Sequence, residues 1–246
     1  MRHPAKAALL LTFALAATAV YAQSQATFTD EQIRTLVEHR LIEKDIIGIR
    51  VSVETHVVTL RGTVPHLWAR NKAVERALDT TGVHRVVNEL TIARAESDAS
   101  IAEEAAENIR RYVFFTIFDD VDLAVDQGVV VLNGKVTMPY KKEAFADLAA
   151  RVNGVQEVKN DIKTLPVSTF DDQLRYTIAR NIYGDPLFWN LALQVNPPLH
   201  IIVENGRVTL TGVVNSEVER RVAESVARST FGVFSVENKL RLENNN

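Results

Sequence analysis

One strand-like motif occurs three times in this chain, and few folds accommodate that. Val57-Val58-Thr59-Leu60-Arg61-Gly62-Thr63-Val64 returns as Val129-Val130-Val131-Leu132-Asn133-Gly134-Lys135-Val136 and again as Arg207-Val208-Thr209-Leu210-Thr211-Gly212-Val213-Val214. The shared pattern, V-x-L-x-G-x-V, alternates apolar residues with period two, as a strand with one buried face requires. A second motif follows each copy: Gly82-Val83-His84-Arg85-Val86-Val87-Asn88, Gly154-Val155-Gln156-Glu157-Val158-Lys159-Asn160 and Gly232-Val233-Phe234-Ser235-Val236-Glu237-Asn238. The first glycine of each pair stands 20 residues before the second in all three copies. Repetition in fixed register implies three small units of one fold, each around its own apolar interior.

The copies together spell out one unit. Asp126-Gln127-Gly128 and Glu204-Asn205-Gly206 precede the second and third strand motifs and predict hairpin turns. The first copy has His56 in the glycine's place, and histidine tolerates positive φ better than most residues. Gly62, Gly134 and Gly212 then lie near the end of the hairpin's second strand, where glycine suits a bulge or a close backbone approach. Between the two glycine motifs a helix is predicted over 67–80, 141–151 and 217–230. Its apolar faces are Val74, Ala77 and Leu78; Phe145, Leu148, Ala149 and Val152; and Val218, Val222, Ala223 and Val226. Gly82, Gly154 and Gly232 stand where a helix stop is expected, and a strand follows over 86–92, 158–165 and 236–242. Another helix precedes each hairpin. The first starts at the Thr29/Gln32 capping box, the second after Ser100 with Glu103, and the third after Thr169 with Asp171 and Asp172 in its first turn. The result is an α+β chain of three tandem modules over 27–95, 96–167 and 168–243. Each is ordered αββαβ, with two helices on a small three-stranded sheet.

These motifs resemble the BON domain, a family named for bacterial osmotically inducible and nodulation proteins. The third copy strengthens the likeness with Ile182-Tyr183-Gly184-Asp185-Pro186 and with Pro197-Pro198 ahead of its hairpin. The resemblance implies the αββαβ fold and a place in the periplasm or at the outer membrane. It implies a non-enzymatic protein without cofactor that binds phospholipid membrane surfaces, in osmotic or envelope stress. The alternative it leaves open is a protein–protein interaction scaffold docking on envelope proteins. Three copies depart from the usual two.

The N-terminus fits export. Arg2 and Lys6 precede the apolar run 7–20, and Val20-Tyr21-Ala22 offers a cleavage site, so 1–22 reads as a signal peptide. The chain has no cysteine, which excludes an acyl anchor on cysteine, disulfides and thiolate metal sites. Net charge is −3, which gives no bulk attraction for nucleic acid. No histidine recurs at equivalent positions, and no metal-ligand spacing or nucleophile motif is present, so neither a catalytic nor a metal site is expected. Two features suit a surface contact. Arg70, Lys142 and Arg220 stand eight residues after the first glycine in each copy, with Lys72, Lys141 and Arg221 nearby. Such cations suit anionic headgroups, or simply a solvated helix surface. Aromatics cluster at Tyr112, Phe114, Phe115 and Phe118, and at Tyr183, Phe188 and Trp189, for packing between modules or for a membrane or partner. The middle copy, with 8 basic and 13 acidic residues, is the least suited to an anionic membrane.

Overall fold

A computed structural model describes residues 28–42, 46–94 and 97–243; the expected signal peptide lies outside them. The first module runs α1 (Asp30–Ile42), β1 (Ile49–Glu54), β2 (Val57–Val64), α2 (Leu67–Leu78) and β3 (Arg85–Ile92). The second runs α3 (Asp98–Arg110), β4 (Asp120–Asp126), β5 (Val129–Val136), α4 (Pro139–Ala150), β6 (Glu157–Asn160) and β7 (Lys163–Thr164). The third runs α5 (Thr169–Tyr183), a 3-10 turn at Pro186–Phe188, α6 (Trp189–Ala192), β8 (Leu199–Glu204), β9 (Arg207–Val214), α7 (Glu217–Ser229), β10 (Ser235–Asn238) and β11 (Arg241–Leu242).

The V-x-L-x-G-x-V strand is the middle of each sheet. β2, β5 and β9 pair antiparallel with β1, β4 and β8, and parallel with β3, with β6 and β7, and with β10 and β11. Its apolar positions Val58, Leu60 and Val64, and their counterparts Val130, Leu132, Val136, Val208, Leu210 and Val214, are all buried. Onto them pack Ile33, Val37 and Leu41 of α1, Ile101, Ala105 and Ile109 of α3, and Leu174, Ile178 and Ile182 of α5, each set at i, i+4, i+8 on one helix face. Two of the crossover helices present small residues instead, Ala69, Ala73 and Ala77 in α2 and Ala223 and Ala227 in α7, whereas α4 buries Phe145 beside Ala149 and Ala150. Leu78 and Val218, expected in the core, are half exposed, because that alanine line is the face turned to the sheet.

One glycine position follows from close approach and a second from a turn. A β-carbon on Gly62, Gly134 or Gly212 would lie 2.5, 2.0 or 1.8 Å from the carbonyl oxygen of Gly48, Asp120 or Pro198, the residue just before the glycine's partner across the ladder. The strands pair without a bulge there, so the glycine serves the approach. Gly82, Gly154 and Gly232 stand past the helix ends, with φ of 90°, 86° and 94° at the third position of a turn closed by the N–H of Val83, Val155 or Val233. At the hairpins, Thr55-His56, Gln127-Gly128 and Asn205-Gly206 all have positive φ, and His56 takes 65° where its counterparts are glycines.

Each hairpin turn is clamped from the first helix. Asp30 accepts the N–H groups of Thr55 and His56, Asp98 those of Gln127 and Gly128, and Asp171 those of Asn205 and Gly206, all at 2.8–2.9 Å. These bonds, led by the His56 N–H, hold the Asp30 carboxyl below its ordinary range. α3 and α5 start at Ser97 and Ser168, which cap Ser100 and Asp171, and not after Ser100 and Thr169. The last strand, expected to be continuous, is broken in the second and third modules. There Asn160 and Asn238 turn their amide nitrogens onto the helix carbonyls of Lys142 and Arg220, and their oxygens onto the N–H groups of Ile162 and Leu240.

The interiors are not all separate. The cores of the first and second modules form one apolar cluster, whereas the third has its own. The join is the loop after α4: Gly154 N–H donates to the Pro65 carbonyl at 2.9 Å, Leu67 N–H donates to the Val155 carbonyl at 3.1 Å, and the Arg151 guanidinium lies 4.0 Å over the Trp68 ring. Val152 and Val155 are buried against it.

Gly212→Ala places a methyl against the Pro198 carbonyl at a φ of 100°. Urea unfolding is expected to show the third module losing about 3 kcal/mol, while the first two keep their transition.

Candidate interaction site

The modules differ most in the connection from first helix to hairpin, which lengthens from 43–48 through 111–119 to 184–198. In the second module this connection carries the first aromatic cluster, just beyond the end of α3. Tyr112 and Phe115 meet Phe145 edge to face at 5.7 and 5.8 Å. Phe115 also contacts His200 at 5.4 Å, Phe118 contacts Tyr176 at 5.3 Å, and the Ile117 carbonyl accepts the Ile201 N–H at 2.7 Å. These contacts, with the Lys135–Glu204 ion pair at 2.5 Å, seat the third module on the second. Asp119 fixes the loop from inside. It accepts from the backbone and hydroxyl of Thr116 and of Thr137, and from Lys141 Nζ at 2.6 Å. Lys141, read from the sequence as a surface cation, is thus buried in an ion pair.

Beside this contact lies a cleft of about 1190 Å³, lined by α3, by 194–198 and by Asp120, His200, Thr211, Lys239 and Arg241. Burial pulls the His200 imidazole below its ordinary value, against the upward pull of the Asp119 and Thr116 carbonyls and the carboxylates of Asp119 and Asp120. Its Nδ1 is buried without a hydrogen-bond partner. Burial likewise pushes the Asp120 carboxyl up. Among the described residues no group of three or more ligand-type side chains is placed to hold a metal ion.

In the third module the connection is divided, and its second half, 194–198, lies along the cleft with Asn196 Nδ2 donating to the Arg110 carbonyl at 2.8 Å. Phe188, expected to pack between modules or to meet a membrane or partner, is fully buried in the core of its own module. Tyr183 is half-buried; its hydroxyl donates to the Leu199 carbonyl at 2.5 Å, and burial pushes the phenol up. Both are therefore structural, Tyr183 at the last position of α5 and Phe188 at the last position of the 3-10 turn, each packed on the core of the third module. Trp189 stays out, 64% exposed, with Leu193 at 74% and Val195 at 97%. Leu191, Gln194 and Pro198 line a shallow pocket with Val213 and Asn215, which sets this segment beside the start of α7. That start carries half-exposed Val218 and the cations Arg220 and Arg221.

The row of cations is not a single patch. Lys72 pairs with Glu75 at 2.9 Å, and Arg220 with Glu217 at 2.8 Å, with Arg221 4.0 Å from the same carboxylate. Arg70 and Lys142 are half-buried at the starts of α2 and α4, on different modules. Sequence reasoning missed Leu193 and Val195, although their apolar character within a polar, proline-flanked stretch was a usable signal.

Three like modules, joined by sequence-variable loops and without a reactive cluster among the described residues, define a tandem α+β repeat protein. A family model for the BON domain matches residues 29–94, 97–166 and 189–244, and the chain belongs to the BON domain family. The third match begins after α5, yet that helix occupies the place of α1 and α3. The chain is 28% identical to Osmotically-inducible protein Y of Escherichia coli over 64% of its length and 93% of that protein's. It is 30% identical to the outer membrane lipoprotein DolP of Haemophilus influenzae over 55% of its length and 75% of the relative's. The C-terminal domain of CdsD, a structural protein of the type III secretion system of Chlamydia trachomatis, is 15% identical with a TM-score of 0.25, over 88% of this chain and all of that one.

Two outcomes follow. Lys141→Met leaves the Asp119 carboxylate buried without its cation, and chemical unfolding is expected to show a loss of about 3–5 kcal/mol. For His200 the folded value is lowered, so the stability it permits is full above its ordinary 6.5 and falls as the pH drops from there towards the folded value. Asp120 acts in the opposite sense, but only as the pH nears the carboxylate range. Thermal melts are expected to show the third module weakening between neutral pH and pH about 5.5, and His200→Gln flattening that dependence.

Proposed function

We propose that this is a non-enzymatic protein of the bacterial cell envelope, exported to the periplasm with removal of 1–22, whose third module meets phospholipid surfaces. The observation that carries this reading is the exposed apolar pair Trp189 and Leu193 on the third module, which also bears half-exposed Val218 and the cations Arg220 and Arg221 at the start of α7. A tryptophan and aliphatic side chains on a module that also carries such cations suit the headgroup boundary of an anionic leaflet. Glu217 lies against both Arg220 and Arg221 and Glu219 shares their turn, so electrostatics contributes less than about 1 kcal/mol there, and apolar insertion supplies most of the attraction. The names of the relatives support an envelope setting: one is osmotically inducible and the other an outer membrane lipoprotein. Osmotic or envelope stress is the setting proposed for this chain.

A second reading, a scaffold that docks on envelope proteins, is favoured by the pairing of Lys72, Arg220 and Arg221 with glutamates on their own helices. Co-sedimentation with vesicles separates the two. The protein is expected to bind anionic vesicles more than zwitterionic ones, with weakening in high salt. The double variant Trp189→Ser/Leu193→Ser is expected to bind about 10-fold or more weakly. No binding to either vesicle, or unchanged binding by the variant, contradicts the lipid reading.

A further inference from the structure

The join between the first two modules is a template whose parts recur, unused, elsewhere in the chain. In that join the loop Val152–Gln156 after α4 lies on the turn Pro65-His66-Leu67-Trp68 before α2, through two backbone hydrogen bonds and the stacked Arg151. The fixed spacing of the repeat maps the receiving turn onto Thr137-Met138-Pro139-Tyr140 of the second module, and the inserting loop onto Thr230-Phe231-Gly232-Val233-Phe234 of the third. Within one chain these two do not meet, because the third module seats on the second through Phe115, Ile117 and Phe118 instead.

Both unused parts are apolar and open. Met138 is 50% and Tyr140 48% exposed, with Phe114, also half exposed, edge-on to the Tyr140 ring at 5.8 Å. Phe231 is 98% and Phe234 80% exposed, where the loop already seated on the first module has Asn153 and Gln156. Of the three loops, only the third carries aromatic residues at both positions. Two phenylalanines held in water forgo the burial of roughly 150–250 Å² each that a partner would give.

We propose that the Phe231–Phe234 loop of one chain docks on the Met138–Tyr140 turn of a second copy, repeating between chains the contact made inside each. Pro139 has no N–H to match that of Leu67, and Ser229 stands in the place of Arg151, so of the template's contacts the backbone bond from Gly232 N–H to the Thr137 carbonyl recurs, and the rings replace the other bond and the stack. The contact is heterologous: each chain offers one loop and one turn. It uses the opposite end of α7 from the proposed lipid surface, so the two readings fail independently.

Sedimentation velocity of the purified protein without lipid tests it. The average mass is expected to rise above one chain as concentration increases through the micromolar range. The loop variant Phe231→Asp/Phe234→Asp and the turn variant Met138→Asp/Tyr140→Asp are each expected to weaken association about 10-fold or more. Mixed together they pair again, since one keeps its turn and the other its loop. Should either aspartate variant lose its circular dichroism, Phe231→Asn/Phe234→Gln and Met138→Gln take its place. A single-chain mass at every concentration, wild-type association by the loop variant, or a mixture that stays unpaired overturns the proposal.

Discussion

In each module a main-chain carbonyl occupies the space where a side chain of the middle strand would begin. The Gly48, Asp120 and Pro198 oxygens come so close to Gly62, Gly134 and Gly212 that any β-carbon is excluded. That approach fixes where the first strand enters the hairpin, and with it the register of the alternating Val-Leu-Val face against both helices. The aspartate clamp closes the other end of the hairpin from the first helix. Between these two fixed ends the sequence is free to vary, and the crossover helix meets the sheet with alanines in the first and third modules but with Phe145 in the second.

The freedom is spent on the connection between first helix and hairpin, and on the loop after the crossover helix. In the second module the connection becomes an aromatic ledge for the third, stiffened by a buried lysine and aspartate. In the third it becomes an exposed apolar segment. The loop after α4 merges the first two cores into one cluster. One fold repeated three times is thus joined unequally: tightly between the first and second modules, and through rings, one ion pair and few backbone bonds between the second and third.

What the sequence made legible was local. V-x-L-x-G-x-V gives strand, face and close approach because each depends on neighbours within a few residues. The Thr29/Gln32 capping box and the His56 turn were readable for the same reason. The aspartate clamp was not. Its carboxylate and its turn are 26, 30 and 35 residues apart in the three copies, since the intervening connection changes length, and an alignment on glycines loses it. Lys141 misled because a lysine signals surface, and Phe188 because its place in an aromatic cluster does not say which ring turns inward; Asp119 and the 3-10 turn, which bury them, act through tertiary contacts. The shared core of the first two modules was invisible for a related reason: Val152 reads as part of its own helix's apolar face and Val155 as part of the repeated motif, and neither points to Pro65 and Leu67 opposite them.

Unequal joining of equal modules is the claim with the most physical content, and native-state hydrogen exchange under rising denaturant measures it directly. The amides of Val58 and Leu60 are expected to open together with those of Val130 and Leu132, at one free energy, because their strands share a core. Those of Val208 and Leu210 are expected to open separately. Opening of the second module's strand with the third's, while the first stays closed, would contradict the account.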